Sequence, residues 1–154
     1  AVMKNFVSPA NPYASARIGG AGVFVSEVDE SDGSIALYRP TVGVLLNVSL
    51  DHKSIEELRV LFGDFVNKSG TAVINLDSVE AGYLVPRAGR KVTFGIDARK
   101  ADITVEPDSI DMSELGIRAA VVDNRRRQVF PLILPMPGLH NLSNALASIA
   151  AASA

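Results

Sequence analysis

The sequence predicts an α/β domain built on a twisted, mainly parallel sheet flanked by helices, with a C-terminal hairpin at the sheet edge. Three observations carry this. Thr41-Val42-Gly43-Val44-Leu45-Leu46 is a continuous apolar run with β-branched residues, the mark of a strand covered on both faces. An amphipathic helical period follows it, and then a second buried strand at residues 72–75, so the order is β-α-β, which gives a parallel pair with a right-handed crossover. From Ile117 the pattern changes to two apolar runs, residues 117–122 and 129–134, around a turn at Asp123-Asn124, which reads as an antiparallel hairpin.

Taken in order, residues 1–22 form an irregular lead-in: Pro9, Pro12, several small residues and Gly19-Gly20 punctuate a stretch without a sustained period. A first strand is expected at Val23-Phe24-Val25-Ser26, ending in the acidic run Glu27-Val28-Asp29-Glu30-Ser31-Asp32. The second strand, residues 42–46, ends in Asn47-Val48-Ser49-Leu50-Asp51-His52. Consecutive parallel strands put their carboxyl ends on one edge of the sheet, where ligands bind, so the two polar clusters are expected to face one crevice. Ser54 and Glu57 form a capping box, and Ile55, Leu58, Leu61, Phe62 and Phe65 repeat at helical spacing until Gly70 stops the helix. A short helix is expected at residues 78–84, before Pro86, with further short strands at 91–95 and 103–106. Pro135-Met136-Pro137-Gly138 is turn punctuation, and a helix begins near Asn141 and runs through the alanine-rich end.

Composition narrows the function classes. The 154 residues suit one domain with a real core, and no run of about 18 apolar residues is present to cross a bilayer. A net charge of −2 gives no general attraction to nucleic acid or anionic membrane. Arg125-Arg126-Arg127 falls at the hairpin tip without interleaved aromatics to stack bases, so a solvated turn is the better reading. With no cysteine there is neither a disulfide framework nor a thiolate metal site, which fits a cytoplasmic location. The chain starts at Ala1 without a clean element before Val23, and is expected to be a segment of a longer protein.

The acidic run places Glu27, Asp29, Glu30 and Asp32 within six residues. Such crowding is costly unless something positive offsets it. A divalent-metal site is one reading, and a solvated loop or acidic helix start is the other. Asn141 and Asn144 read on their own as helix-capping residues.

Together, Glu27-x-Asp29-Glu30-Ser31-Asp32, Asn47-x-x-x-Asp51-His52, and Pro137-Gly138-x-His140-Asn141-x-x-Asn144-Ala145 resemble the central ATP-binding domain of the Mur ligases. Three motifs in this order and at these separations are a specific signal. The resemblance covers the chain from about Asn5 onward, and it implies a P-loop-type sheet and residues 23–154 as part of a longer multidomain ligase. The form of the acidic motif is most similar to the members that join L-alanine to UDP-N-acetylmuramate, or to their relatives that recycle a preformed murein tripeptide. Such an enzyme phosphorylates the muramoyl carboxylate with ATP and lets the amine attack the acyl phosphate. That chemistry must hold two anions in line, by positioning and by metal ions.

By the same resemblance Glu27 is expected to ligate the Mg2+ between the β and γ phosphates, and His52 a second Mg2+ beside the acceptor carboxylate. His140, Asn141 and Asn144 are expected at the adenine. The family's phosphate loop, Gly-x-x-Gly-Lys-Thr or Ser, is absent: Gly19-Gly20-Ala21-Gly22 has no following lysine. The sheet is therefore expected to lack the strand that leads into that loop, and the segment alone to be inactive. Ser54 stands where many members carry an acidic residue. The rival readings are the tripeptide-recycling ligase and a non-catalytic nucleotide-binding or interaction module; the oligomeric state is left open.

Overall fold

A computed structural model describes residues 20, 22–31, 33–49 and 53–154. Most of the expected lead-in, together with Asp32, Asp51 and His52, lies outside the described residues.

Among the described residues seven strands form one mixed sheet. β1 (Val42–Leu45), β2 (Thr71–Asn75), β3 (Lys91–Phe94) and β4 (Ile103–Val105) run parallel in that spatial order. β6 (Gly116–Asp123) reverses the direction: its C-terminal half pairs with β4 and its first residues with β5 (Asp111–Ser113). β7 (Gln128–Leu134) pairs antiparallel with β6 along its length, as the hairpin reading expects. Because β7 opposes β6, it points the same way as β1 to β4. Its end at Leu134 therefore lies at the same edge as the carboxyl ends of the parallel strands.

Helices cover both faces. Along β2 the pleat alternates, so that Ala72 and Ile74 face α1 (Ile55–Lys68) and α2 (Val79–Tyr83), while Val73 faces α3 (Leu139–Ala152). All five residues of β2 are buried, which is why its centre, residues 72–74, is continuously apolar rather than alternating. Ile74 is fully buried, and shortening it to alanine would cost about 2 to 5 kcal/mol. The opposite layer is filled by Leu142, Leu146, Ala147 and Ala150 of α3, against Val92, Phe94, Ile103 and Val121.

Local signals account for the ends of α1. The Ser54 hydroxyl accepts the Glu57 N–H at 3.3 Å, and the Ser54 N–H donates to Glu57 Oε2 at 2.9 Å, the expected reciprocal cap. After Ser69 the chain turns directly into β2. There the Gly70 N–H donates to the Pro40 carbonyl at 2.9 Å, and a Cβ at this glycine would lie 2.7 Å from the Thr41 carbonyl oxygen. Gly70 thus allows the close approach of α1's exit to the entry of β1.

Two expectations are corrected. Val23, Phe24 and Val25 do not form a strand; they are 78%, 88% and 87% exposed and carry no regular structure. Four residues with an apolar majority satisfy the composition of a strand, but a strand also needs a partner edge for its N–H and C=O groups. Among the described residues β1 pairs with β2 alone. The second correction is an addition: β5 was not expected, since its three residues are all exposed and show no apolar pattern.

Candidate functional site

The carboxyl edge of the parallel strands gathers the polar loops. The loop after β1 starts at Leu46-Asn47, the loop after β2 at Leu76-Asp77, the loop after β3 at Gly95-Ile96, and α3 begins at this edge after β7. α3 then runs back over β1 to β4 and packs against all four. The acidic run and the end of the loop after β1 are linked through Lys53, a residue the sequence reading did not single out. Lys53 Nζ donates to the carbonyl oxygens of Glu30 at 3.1 Å and Ser31 at 3.2 Å. The acidic run does not hang from a strand; it is held to the end of the loop after β1 by this lysine.

Within the run, Asp29 accepts the Ser31 N–H at 2.8 Å, a local turn that bends the chain back on itself. The Glu27 carboxylate is exposed and makes no hydrogen bond or ion pair among the described residues, which leaves both oxygens open to a cation. Magnesium keeps several waters and takes one or two carboxylates plus substrate phosphates, so a single open carboxylate fits the way it is bound. Among the described residues no three His, Asp or Glu side chains converge into a metal cage. His52, the other expected ligand, lies outside them.

At the start of α3, Gly138 precedes the first turn with φ +99°, and a Cβ there would run into the His140 ring. Glycine at this position lets the imidazole fold back over the turn. His140 and Asn144 are exposed, and Asn141 is half-buried. Asn141 Nδ2 donates to the Pro137 carbonyl at 2.6 Å, so one side of its amide is used to close the turn and Oδ1 stays open. Asn144, three residues on and one turn along the same side, makes no side-chain hydrogen bond among the described residues. It is the fully available amide of the pair. Neither asparagine accepts from the helix's first N–H groups, so the capping reading of both is not what the geometry shows.

Two more residues organise the edge from beneath. Asn75, buried at the end of β2, bridges to the Leu46 carbonyl, and Asp77 receives backbone N–H groups of the loop after β3. The only sequence signal for them was a polar Asn-x-Asp directly after a buried strand. Their partners lie about 20 to 30 residues away in the chain, out of reach of any local period.

The arginine cluster lies at the opposite edge. Asp123, 3% exposed, accepts the N–H groups of Arg125 at 3.0 Å and Arg126 at 3.1 Å, and Arg125 Nη2 at 3.2 Å. The same Nη2 donates to Ser153 Oγ at 2.7 Å, which ties the hairpin tip to the end of α3. Burial pushes the Asp123 carboxyl up, but the Arg125 and Arg126 hydrogen bonds and the Arg125 charge outweigh it and hold it below the ordinary carboxylate value. Arg125 is thus a structural residue. Among the described residues no helix is long and apolar enough to cross a membrane.

Fold and site together define an α/β domain that presents its polar loops at the carboxyl edge of a parallel sheet, the place where such sheets receive ligands. The family model described as the Mur ligase middle domain matches residues 11–152, and the chain belongs to that family. It is 35% identical over 147 residues to the UDP-N-acetylmuramate–L-alanine ligase of Geobacter sp. (strain M21), an alignment that covers 90% of this chain and 31% of the relative. With the ligase of the same name from Acaryochloris marina (strain MBIC 11017) it shares 34% over 144 residues, 88% of this chain and 29% of that one. The chain spans about a third of the length of these curated relatives. Among solved structures, a UDP-N-acetylmuramoyl-L-alanyl-D-glutamate–2,6-diaminopimelate ligase superposes with a TM-score of 0.61 at 25% identity, over 73% of this chain and 25% of that one. MurF from Acinetobacter baumannii, at 18% identity and a TM-score of 0.65 over 79% of this chain and 27% of that one, shares the fold.

Proposed function

We propose that residues 23–154 are part of the ATP-handling middle domain of a longer, cytoplasmic ligase that joins L-alanine to UDP-N-acetylmuramate through an acyl phosphate, in the synthesis of peptidoglycan precursors. The observation that carries this reading is the convergence on one sheet edge of the acidic run, the loop after β1 and the start of α3, with Lys53 bonding the first two together. The names of the relatives, aligned over nine-tenths of this chain, support L-alanine as the amine. A ligase that recycles a preformed tripeptide is the alternative, since the two differ in the amine rather than at this edge.

Magnesium, when bound, would supply charge neutralisation between triphosphate and carboxylate. The chain's own part is to hold and orient. Glu27 offers an exposed carboxylate with both oxygens open, and His52 would act from the loop that Lys53 terminates. Asn144 presents an open amide donor and acceptor, Asn141 its remaining Oδ1, and His140 an exposed ring, all suited to the hydrogen-bonding edge and the face of an adenine. Bringing the two reacting anions into line lowers the barrier by orientation, without a covalent contribution from the protein.

The test is phosphate release by the full-length enzyme with UDP-N-acetylmuramate and ATP, comparing L-alanine with the murein tripeptide. Release that depends on L-alanine supports the reading. Release with the tripeptide alone gives the recycling ligase, and none with either amine, alongside retained ATP binding, gives a non-catalytic nucleotide-binding module.

A further inference from the structure

The hydrogen bonds under the carboxyl edge form one continuous chain across three strands. Asn75 Nδ2 donates to the Leu46 carbonyl at 2.9 Å, and Asn75 Oδ1 accepts the Asp77 N–H at 3.0 Å. The Asp77 carboxylate then accepts the N–H groups of Ile96 at 2.5 Å, Asp97 at 3.1 Å and Ala98 at 2.9 Å. Gly95 makes room for it, because a Cβ there would lie 2.7 Å from Asp77 Oδ1. The strand register ends at Leu45↔Ile74 on one side of β2 and at Asn75↔Phe94 on the other. Past those pairs one backbone bond remains, from the Leu76 N–H to the Phe94 carbonyl at 2.8 Å, and the Asn75 and Asp77 side chains supply the further links.

We propose that Asn75 and Asp77 are positioning residues that set where the start of the loop after β1, at Leu46-Asn47, stands relative to the loop after β3. The inference rests on the ligase reading above, in which the first of those loops serves the metal and the acceptor carboxylate. Asparagine is required at 75 because one side chain must both donate to a carbonyl and accept from an amide. Aspartate there keeps the acceptor, loses the donor and sets a negative charge against the Leu46 carbonyl. Asp77 uses both carboxylate oxygens on backbone amides, so asparagine at 77 keeps only one of the two acceptor oxygens.

The experiment compares the full-length wild type with Asn75→Asp, Asp77→Asn and Glu27→Ala. It measures backbone amide exchange and the magnesium concentration for half-maximal rate. Asn75→Asp should speed exchange about tenfold at residues 46–49 and 96–98 while α3 keeps its protection. The same variant should raise the magnesium requirement about tenfold and leave the KM for L-alanine within about twofold, since small displacements at a distance misplace a ligand. Unchanged exchange at both loops overturns the clamp. Faster exchange with an unchanged magnesium requirement in Asn75→Asp, while Glu27→Ala loses turnover, overturns the positioning role alone. Wild-type turnover and an unchanged magnesium requirement in Glu27→Ala as well put the failure in the metal reading. If Asn75→Asp does not fold, Asp77→Asn, altered at an exposed position, carries the same comparison.

Discussion

Lys53 Nζ lies 3.1 Å from the Glu30 carbonyl and 3.2 Å from that of Ser31, so segments more than 20 residues apart in sequence are held at one place by a single ammonium group. The ammonium answers the crowding of carboxylates in the run and uses their backbone carbonyls as its acceptors, leaving the Glu27 carboxylate open. Replacing Lys53 by methionine keeps the aliphatic stem and removes the donors. Turnover of the full-length enzyme should fall about tenfold, with less than about 1 kcal/mol lost in stability, because the bonds are partly exposed. Wild-type turnover at limiting magnesium would show that the acidic run needs no tether.

Glu27→Ala and His52→Ala should each abolish ligation. Glu27 is exposed and unpaired among the described residues, so its loss should leave the melting temperature unchanged. Activity and melting of the same samples decide the matter: ligation retained in Glu27→Ala at limiting magnesium removes it from the metal, and a large drop in melting temperature makes it a structural residue.

The two asparagines of α3 should separate. Asn144→Ala should raise the KM for ATP more than that for the UDP-sugar, at no cost in stability. Asn141→Ala should also lower stability by about 1 kcal/mol, because its amide holds the Pro137 carbonyl. Equal ATP dependence in Asn144→Ala and wild type would leave α3 without an adenine contact.

Asp123 predicts the acid limb of the stability curve. Its carboxyl is held below the ordinary value in the folded chain, so the unfolded chain binds the proton more readily. The stabilisation is therefore present in full above about pH 4 and is lost as pH falls through the folded-state value. Asp123→Asn should cost about 1 to 3 kcal/mol at pH 7, and the cost should shrink steadily as pH falls below about 4. A penalty that does not change on acidification would show that the ionised form contributes nothing.

Thr104, on β4, is 3% exposed, and its hydroxyl has no hydrogen-bond partner among the described residues. Valine has the same shape without the polar atom, so Thr104→Val should leave the melting temperature unchanged or raise it. A loss of more than about 1 kcal/mol would mean that the hydroxyl is satisfied by bound water.

The sequence by itself determined the elements whose causes are local. The capping box at Ser54 and Glu57, the apolar stripe of α1, the apolar centre of β2 and the turn between β6 and β7 each declare themselves within a few residues, since propensity and periodicity act over that range. The polar motifs after β1 and before α3 were legible for the same reason, whereas the acidic run follows no strand and is tied to the loop after β1 by Lys53. The tertiary structure decided what depends on partners far along the chain. Val23-Phe24-Val25 has the composition of a strand but no neighbouring strand among the described residues, whereas the polar β5 is a strand because β6 offers it an edge. Lys53, Asn75, Asp77 and the Asp123–Arg125–Ser153 chain take their roles from groups brought to them by folding. A hydrogen bond has no periodicity to betray it in sequence, and only the packed sheet and helices bring its two ends within about 3 Å.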